Sequence, residues 1–446
     1  METTNFQKSV LKIALPVTLQ SLLQSSFSVI DQVMIGQLGE SSIAGIGLGG
    51  KFASLYSVVL AAIASVAGIM ISQYMGRKDE KSIARSFYTN LALSVGLAVV
   101  FMVLCMVFPD FIMSLYTKDA GTKALSVKYL RLFSLSFLPM AVGLIMTTML
   151  RCMEVASLPL YASIFALGLN TGLNYLLIFG KGIFPKMGVE GAAAASAVAQ
   201  LVSCVIILIL FMIYKKKKGI HMGWQKKADQ GDYWKQYLTI LAPMLICEFL
   251  WSVGENVYTA IYGNIGTDAC AAMTMTVPIQ TIVIGALSGL SQASAILIGK
   301  SLGGGKYDQA YTESKKLMKY GIVASVLLSV LLVAVSPFYV RIYQVEPAVW
   351  VITRNLLIVI AIVAPVKVQN MILGGGILRS GGKTKYTMWI DIIGTWVFGV
   401  PLGLISAFVL KLDVQYVYFI LSMEECIRLG ISLILFKKRI WMESIQ

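Results

Sequence analysis

The chain is written as long apolar runs separated by short polar breaks. Runs of about 20 mostly apolar residues recur from end to end, the length that a ~30 Å hydrocarbon core demands of a helix. Twelve can be placed, at roughly 12–37, 47–74, 86–108, 130–150, 158–180, 190–214, 237–264, 272–299, 314–336, 350–378, 386–409 and 414–436. The pattern predicts an all-α membrane protein with twelve transmembrane helices. Prolines 16, 139, 243, 278, 365 and 401 fall inside these spans and predict kinks.

The spans form two sets of six. Pro16, Ser25, Gly36, Gly39, Ala44, Ile69 and Gly76 recur 227 positions later as Pro243, Ser252, Gly263, Gly266, Ala271, Ile296 and Gly303, with no gap. This predicts two pseudo-symmetric six-helix halves: an N-terminal lobe over 1–214, a polar linker over 215–236 and a C-terminal lobe over 237–446. Six spans per half start both halves on one side of the bilayer, which makes the repeat parallel. Paired repeats of this kind are the architecture of alternating-access transporters.

Composition agrees with the pattern. Apolar residues make up 57% and charged residues 13%, against about 25% charged in soluble domains. The net charge of +15 invites a nucleic-acid reading, but its distribution excludes one. With the N-terminus in the cytoplasm, 25 of the 37 Lys and Arg residues lie on the inner side, at Lys8–Lys12, Arg77–Arg85, Arg151, Lys215–Lys235, Lys300–Lys319, Arg379–Lys385 and Lys437–Arg439. Ten lie outside, and Lys367 and Arg428 lie within spans. This bias is the positive-inside rule, so both termini are expected in the cytoplasm of a cell-membrane protein. The first apolar run is too long for a signal peptide.

Catalytic chemistry is poorly supplied. His221 is the only histidine and sits in the linker, which removes HExxH sites and Ser-His or Cys-His nucleophiles from the membrane. The six cysteines are scattered in or near spans and read as small packing residues. Gly45, Gly47 and Gly50 fit GxGxxG but lack a preceding strand; Gly374–Gly376 through Thr384 fails P-loop spacing at Ile377. Both read as helix contacts or bends. No enzyme activity, cofactor or metal site is expected.

Ionisable residues inside spans are costly and need a reason. Asp31 lies five residues before Gly36, with no opposite charge within a turn. A carboxylate withdrawn from water takes up a proton more readily, which suits ion coupling. Asn170 and Asn174, i and i+4 on span 5, need polar partners, and a buried Asp is a suitable one. Glu248, Trp251 and Glu255 form one stripe on span 7, suited to an organic cation through charge and cation–π attraction. In the repeat register Glu248 and Glu255 fall on Ser21 and Ser28, so the first half lacks this stripe. Glu424 and Glu425 read as an internal pair with Arg428. Lys367 and Asp391 are further candidates, Lys367 as a counter-ion or on a water-filled cavity.

These residues carry a resemblance. The run PVTLQSLLQSSFSVIDQVMIGQLG from Pro16 to Gly39, with the loop Gly76–Asp79, is similar to the first two helices of MATE (multidrug and toxic compound extrusion) transporters. Leu150–Arg151 and Leu378–Thr384 resemble the family's loops after spans 4 and 10, and Asn170 with Asn174 its span-5 motif. The resemblance implies export of amphipathic, often cationic compounds against inward H⁺ or Na⁺. It places Asp31, Asn170 and Asn174 at ion coupling, by likeness to the DinF-like group. There Asn174 replaces an Asp, and Ala192 stands where a Thr is expected. In the NorM-like group a span-7 Glu falls here on Trp251, and a span-10 Asp falls near Val368, Gln369 and Asn370. One remaining acid favours H⁺ over Na⁺. Glu248, Trp251, Glu255 and Lys367 are the substrate candidates. The partners expected are small organic substrates and lipid, with no nucleic acid, and the chain is expected to be monomeric. A lipid-linked precursor flippase would need a strongly basic cavity and ranks second. A non-transporting sensor ranks third.

Overall fold

The computed structural model describes residues 2–218, 230–341 and 346–445. Of the linker predicted over 215–236, positions 219–229, with His221, Trp224, Lys226, Lys227 and Asp229, lie outside the described residues.

The described residues are helical, with no strand among them. The first half contains α1 (Glu2–Gly36), α2 (Glu40–Arg77), α3 (Glu80–Val107), the short α4 (Pro109–Ser114), α5 (Ala120–Ser134), α6 (Phe137–Cys152), α7 (Ser157–Phe179) and α8 (Val189–Lys218). The second contains α9 (Gln230–Gly263), α10 (Thr267–Gly303), α11 (Tyr307–Val340), α12 (Pro347–Asn370), α13 (Thr384–Ile392), α14 (Val400–Leu404), α15 (Val414–Leu421) and α16 (Glu424–Lys437). Among the described residues, ten helices are long and apolar enough to cross a membrane by themselves, and the α5–α6 pair, bent by 45°, supplies another. Interrupted α15–α16 completes twelve spans in two halves.

The fourth span starts earlier than predicted. It begins at Ala120 rather than near 130, because Lys123, Lys128 and Arg131 ride on an amphipathic first segment before the bend. The repeat register holds element by element: helices start at 40 and 267, 80 and 307, 120 and 347, and 157 and 384, each pair 227 apart.

Two compact units are formed. One is built from Leu19–Ile71 and the first half from Asp79 onward. The other combines the second half with the chain up to Thr18 and with Ser72–Lys78. In the first unit, Tyr56, Leu60, Ala98, Cys105, Leu130 and Phe137 form a core, and Tyr56 donates to the Phe137 carbonyl at 2.7 Å. On α3 the inward positions are small and polar (Ser86, Asn90 and Ser94, all fully buried), whereas Val99, Val100, Val103 and Val107 face outward. Apolar outer faces with small inward residues are what packing against lipid requires.

The second unit contains the irregular helices. Span 10 runs from α12 into a π-helical stretch over Met371–Leu378, and span 11 carries two more, Ile393–Gly399 and Ile405–Val409. Pro401 lies between these two and cannot donate to the carbonyl four residues back. The glycine run predicted as a contact or bend lies in the first π stretch, where a Cβ on Gly376 would stand 2.8 Å from the Ser291 carbonyl on α10. A side chain at Gly45, likewise, would meet Leu125 at 2.9 Å.

Candidate functional site

In the first unit a polar chain links three helices. Asn174 Nδ2 donates to Asp31 Oδ1 at 2.9 Å and to Asn170 Oδ1 at 3.3 Å. Asn170 Nδ2 in turn approaches Ser196 Oγ of α8 at 3.4 Å. The i, i+4 spacing on α7 puts both amides on one face, and α1 brings Asp31 to it. Asn174 is 2% exposed, and its Oδ1, like Thr171 Oγ1, is buried with no hydrogen-bond partner among the described residues. The three predicted coupling residues therefore meet at one place. Ala192 is buried and adds no oxygen. The arrangement offers a carboxylate whose Oδ1 is held by one amide donor.

The second unit holds an open cavity of about 720 Å³. All four predicted substrate residues, Glu248, Trp251, Glu255 and Lys367, line it, and so does Asp391. Along one wall runs a chain of charges. Arg379 lies 3.4 Å from Glu248 and 3.7 Å from Asp391; Arg428 lies 3.6 Å from Asp391 and 3.8 Å from Glu424. Tyr258 donates to Glu424, and Arg428 to Thr395 in the second π stretch. Charges withdrawn from water persist only when paired, and here two guanidiniums sit among three carboxylates, with Arg379 Nε and Arg428 Nε buried and, among the described residues, without an acceptor.

Some expectations need revision. Arg428 pairs with Glu424 but not with Glu425, whose carboxylate takes Asn370 Nδ2 at 2.7 Å. Arg379, counted among loop charges, lines the cavity, because helical backbone continues past Leu378. Cys247 does more than fill space: its Sγ lies 2.7 Å from Asp391 Oδ2 and 3.3 Å from Arg379 Nη2. Tyr258 and Asn370 were not singled out from the sequence as cavity groups. A polar side chain at helical spacing from Glu248 and Glu255 was the available signal for Tyr258.

The repeat extends to side chains. Arg151 Nη2 donates to Gln20 Oε1 at 2.9 Å, and Gln20 is the register partner of Cys247. In each half, then, an arginine ending the fourth span touches the same position of the first. Asp31 falls on Tyr258, and each joins its own half's buried polar chain.

Comparison with known proteins agrees with this geometry. Two stretches, 16–176 and 243–405, match the MatE family, and they begin 227 positions apart. The uncharacterized transporter YisQ of Bacillus subtilis (strain 168) is 23% identical, over 98% of this chain and 95% of that protein. A probable multidrug resistance protein NorM of Thermotoga maritima is 22% identical, over 99% and 94%. Among solved structures, a MATE transporter in complex with MaL6 superposes with a TM-score of 0.89 at 16% identity, covering 97% of this chain and 96% of that one. A multidrug resistance MATE family transporter in an outward-facing conformation gives the same score, identity and coverage.

Proposed function

The chain belongs to the MatE family of membrane transporters, and from that premise we propose that it exports amphipathic organic cations in exchange for protons. The observation that carries this reading is the cavity of about 720 Å³ in the second unit, where Glu248, Glu255, Asp391, Glu424 and Glu425 outnumber Lys367, Arg379 and Arg428. Its size suits a drug-sized molecule. Its formal surplus of carboxylates suits a cation, and Trp251 offers an aromatic face to it. A flippase handling a pyrophosphate headgroup would want the opposite balance.

Asp31 is the proposed coupling group, supported by its contact with Asn174. A sodium site wants several hard oxygens, and Ala192 and Asn174 stand where others would help. The lobes are proposed to divide at the 215–236 linker, with Lys8–Lys12 and Lys437–Arg439 in the cytoplasm. Multidrug-resistance relatives support export as the direction.

The test is transport by the full chain in liposomes. Glu255→Gln is expected to slow export of a cationic dye at least threefold more than that of a neutral dye of the same size. Equal losses for both dyes would overturn Glu255 as a cation-recognising group, and no dye movement by the native chain would overturn export.

A further inference from the structure

Each half ends its fourth span on an arginine, and the two arginines differ in what neutralises them. Arg379 lies 3.4 Å from Glu248 and 3.7 Å from Asp391. In the repeat register those acids fall on Ser21 and Ile164, so the first half has no carboxylate at either place. Among the described residues no ion pair reaches Arg151. Its guanidinium, partly buried, starts a chain of neutral groups instead. Nη2 donates to Gln20 Oε1 at 2.9 Å, and Gln20 Nε2 donates to Ser163 Oγ at 2.7 Å. The chain runs one way. A guanidinium only donates, so Gln20 must offer it the carbonyl and turn its amide nitrogen toward Ser163. The Ser163 hydroxyl keeps its own hydrogen, which meets no acceptor among the described residues. Arg151 Nε is buried and also lacks one. All three residues belong to the first unit, so the cluster is separate from the cavity of the second.

We propose that Arg151, Gln20 and Ser163 form a phosphate site that holds the headgroup of an anionic phospholipid. A cationic donor chain that ends on an unused donor, with no carboxylate beside it, calls for an anion from outside the chain. Leaving such a guanidinium half out of water without a counter-charge is unfavourable, and its planar fork matches phosphate oxygens. Depth selects a headgroup. Arg151 is the penultimate residue of α6, and the end of a span lies at the level of the headgroups. The surroundings select a lipid over free phosphate. Leu19, Ile164 and Phe165, next to Gln20 and Ser163 in sequence, are 41%, 45% and 57% exposed. Apolar surface of this kind in a membrane packs against acyl chains, from which inorganic phosphate gains nothing. The anion then does for Arg151 what Glu248 and Asp391 do for Arg379.

The test is lipid binding and thermal unfolding of the purified full chain in detergent, with binding read by native mass spectrometry. The probes are dioleoylphosphatidylglycerol, dioleoylphosphatidylcholine and inorganic phosphate. The native chain is expected to hold its tightest phosphatidylglycerol about fivefold more firmly than phosphatidylcholine, the size of one arginine's attraction to an anionic lipid. Arg151→Gln is expected to lose this preference and Arg151→Lys to keep part of it. Lys217→Gln, which removes an exposed charge at the end of α8, is expected to leave it unchanged. Ser21→Glu gives the first half the acid that the second has at Glu248. It is expected to lose the tight phosphatidylglycerol and to raise the melting temperature, a pair of changes that misfolding does not produce. If inorganic phosphate stabilises the native chain as well as phosphatidylglycerol does, and only when Arg151 is present, the phosphate site stands and the lipid is overturned as its source. If Arg151→Gln binds phosphatidylglycerol as the native chain does, or Ser21→Glu lowers the melting temperature, the site is overturned.

Discussion

Arg379 and Arg439 show why position decides what an ion pair contributes. Arg379, 18% exposed, serves two carboxylates in the cavity wall, whereas Arg439 and Asp308 pair at 3.0 Å with 49% and 93% of their side chains exposed. Removing one partner of a buried pair strands the others and costs about 3–5 kcal/mol. An exposed pair contributes roughly 0.2–1 kcal/mol. Thermal unfolding of the purified chain should therefore show a large loss for Arg379→Met, a smaller one for Arg379→Lys, and almost none for Arg439→Met. Equal shifts at the two positions would mean that the wall of charges is not a desolvated network. At this scale the sequence was readable for the acids. Asp31, Glu248 and Glu255 stand out because charge inside a span needs a reason, and all three lie at polar sites. The cations were harder: Arg151 and Arg379 end their spans, where a topological charge is also expected.

Close helix crossings depend on glycines that composition alone does not rank. At Gly303 of α10 a Cβ would lie 1.9 Å from the Gln73 carbonyl, and at Gly76 of α2 one would lie 2.0 Å from the Lys300 carbonyl. Both contacts fall within the second unit, and the two glycines are register partners in the repeat. Their obstacles are backbone atoms, which cannot swing aside. At Gly47 and Gly50 of α2 nothing lies within 4 Å. Gly303→Ala should lower the unfolding temperature clearly, whereas Gly47→Ala should be neutral or slightly stabilising, since alanine gains about 0.5–1 kcal/mol over glycine inside a helix. A neutral Gly303→Ala would refute the tight crossing. The π stretches were not legible in advance, because an apolar run reads the same whether its carbonyls pair four or five residues on. The marks they left in the sequence were the Gly374–Gly376 run inside the first and Pro401 between the other two.

At the level of the whole chain, the twelve spans and the 227-residue repeat were legible because both are periodic signals summed over many residues. The start of span 4 was not, because three basic residues break its apolar run, and neither was the cavity, which depends on side chains from five spans. Coupling is the central claim at this scale. A one-unit pH gradient is worth about 1.4 kcal/mol per proton. If one proton is exchanged for one monovalent cation, it sustains roughly a tenfold cation gradient. The most direct measurement is accumulation of dansylcadaverine by proteoliposomes under an imposed pH gradient, with sodium equal on both sides. The native chain is predicted to concentrate the dye against its gradient and to lose this with a protonophore. Asp31→Asn, nearly isosteric with Asp but unable to exchange a proton, is predicted to bind the dye without concentrating it. Uphill transport driven by a sodium gradient at fixed pH, or uphill transport by Asp31→Asn, would contradict the account.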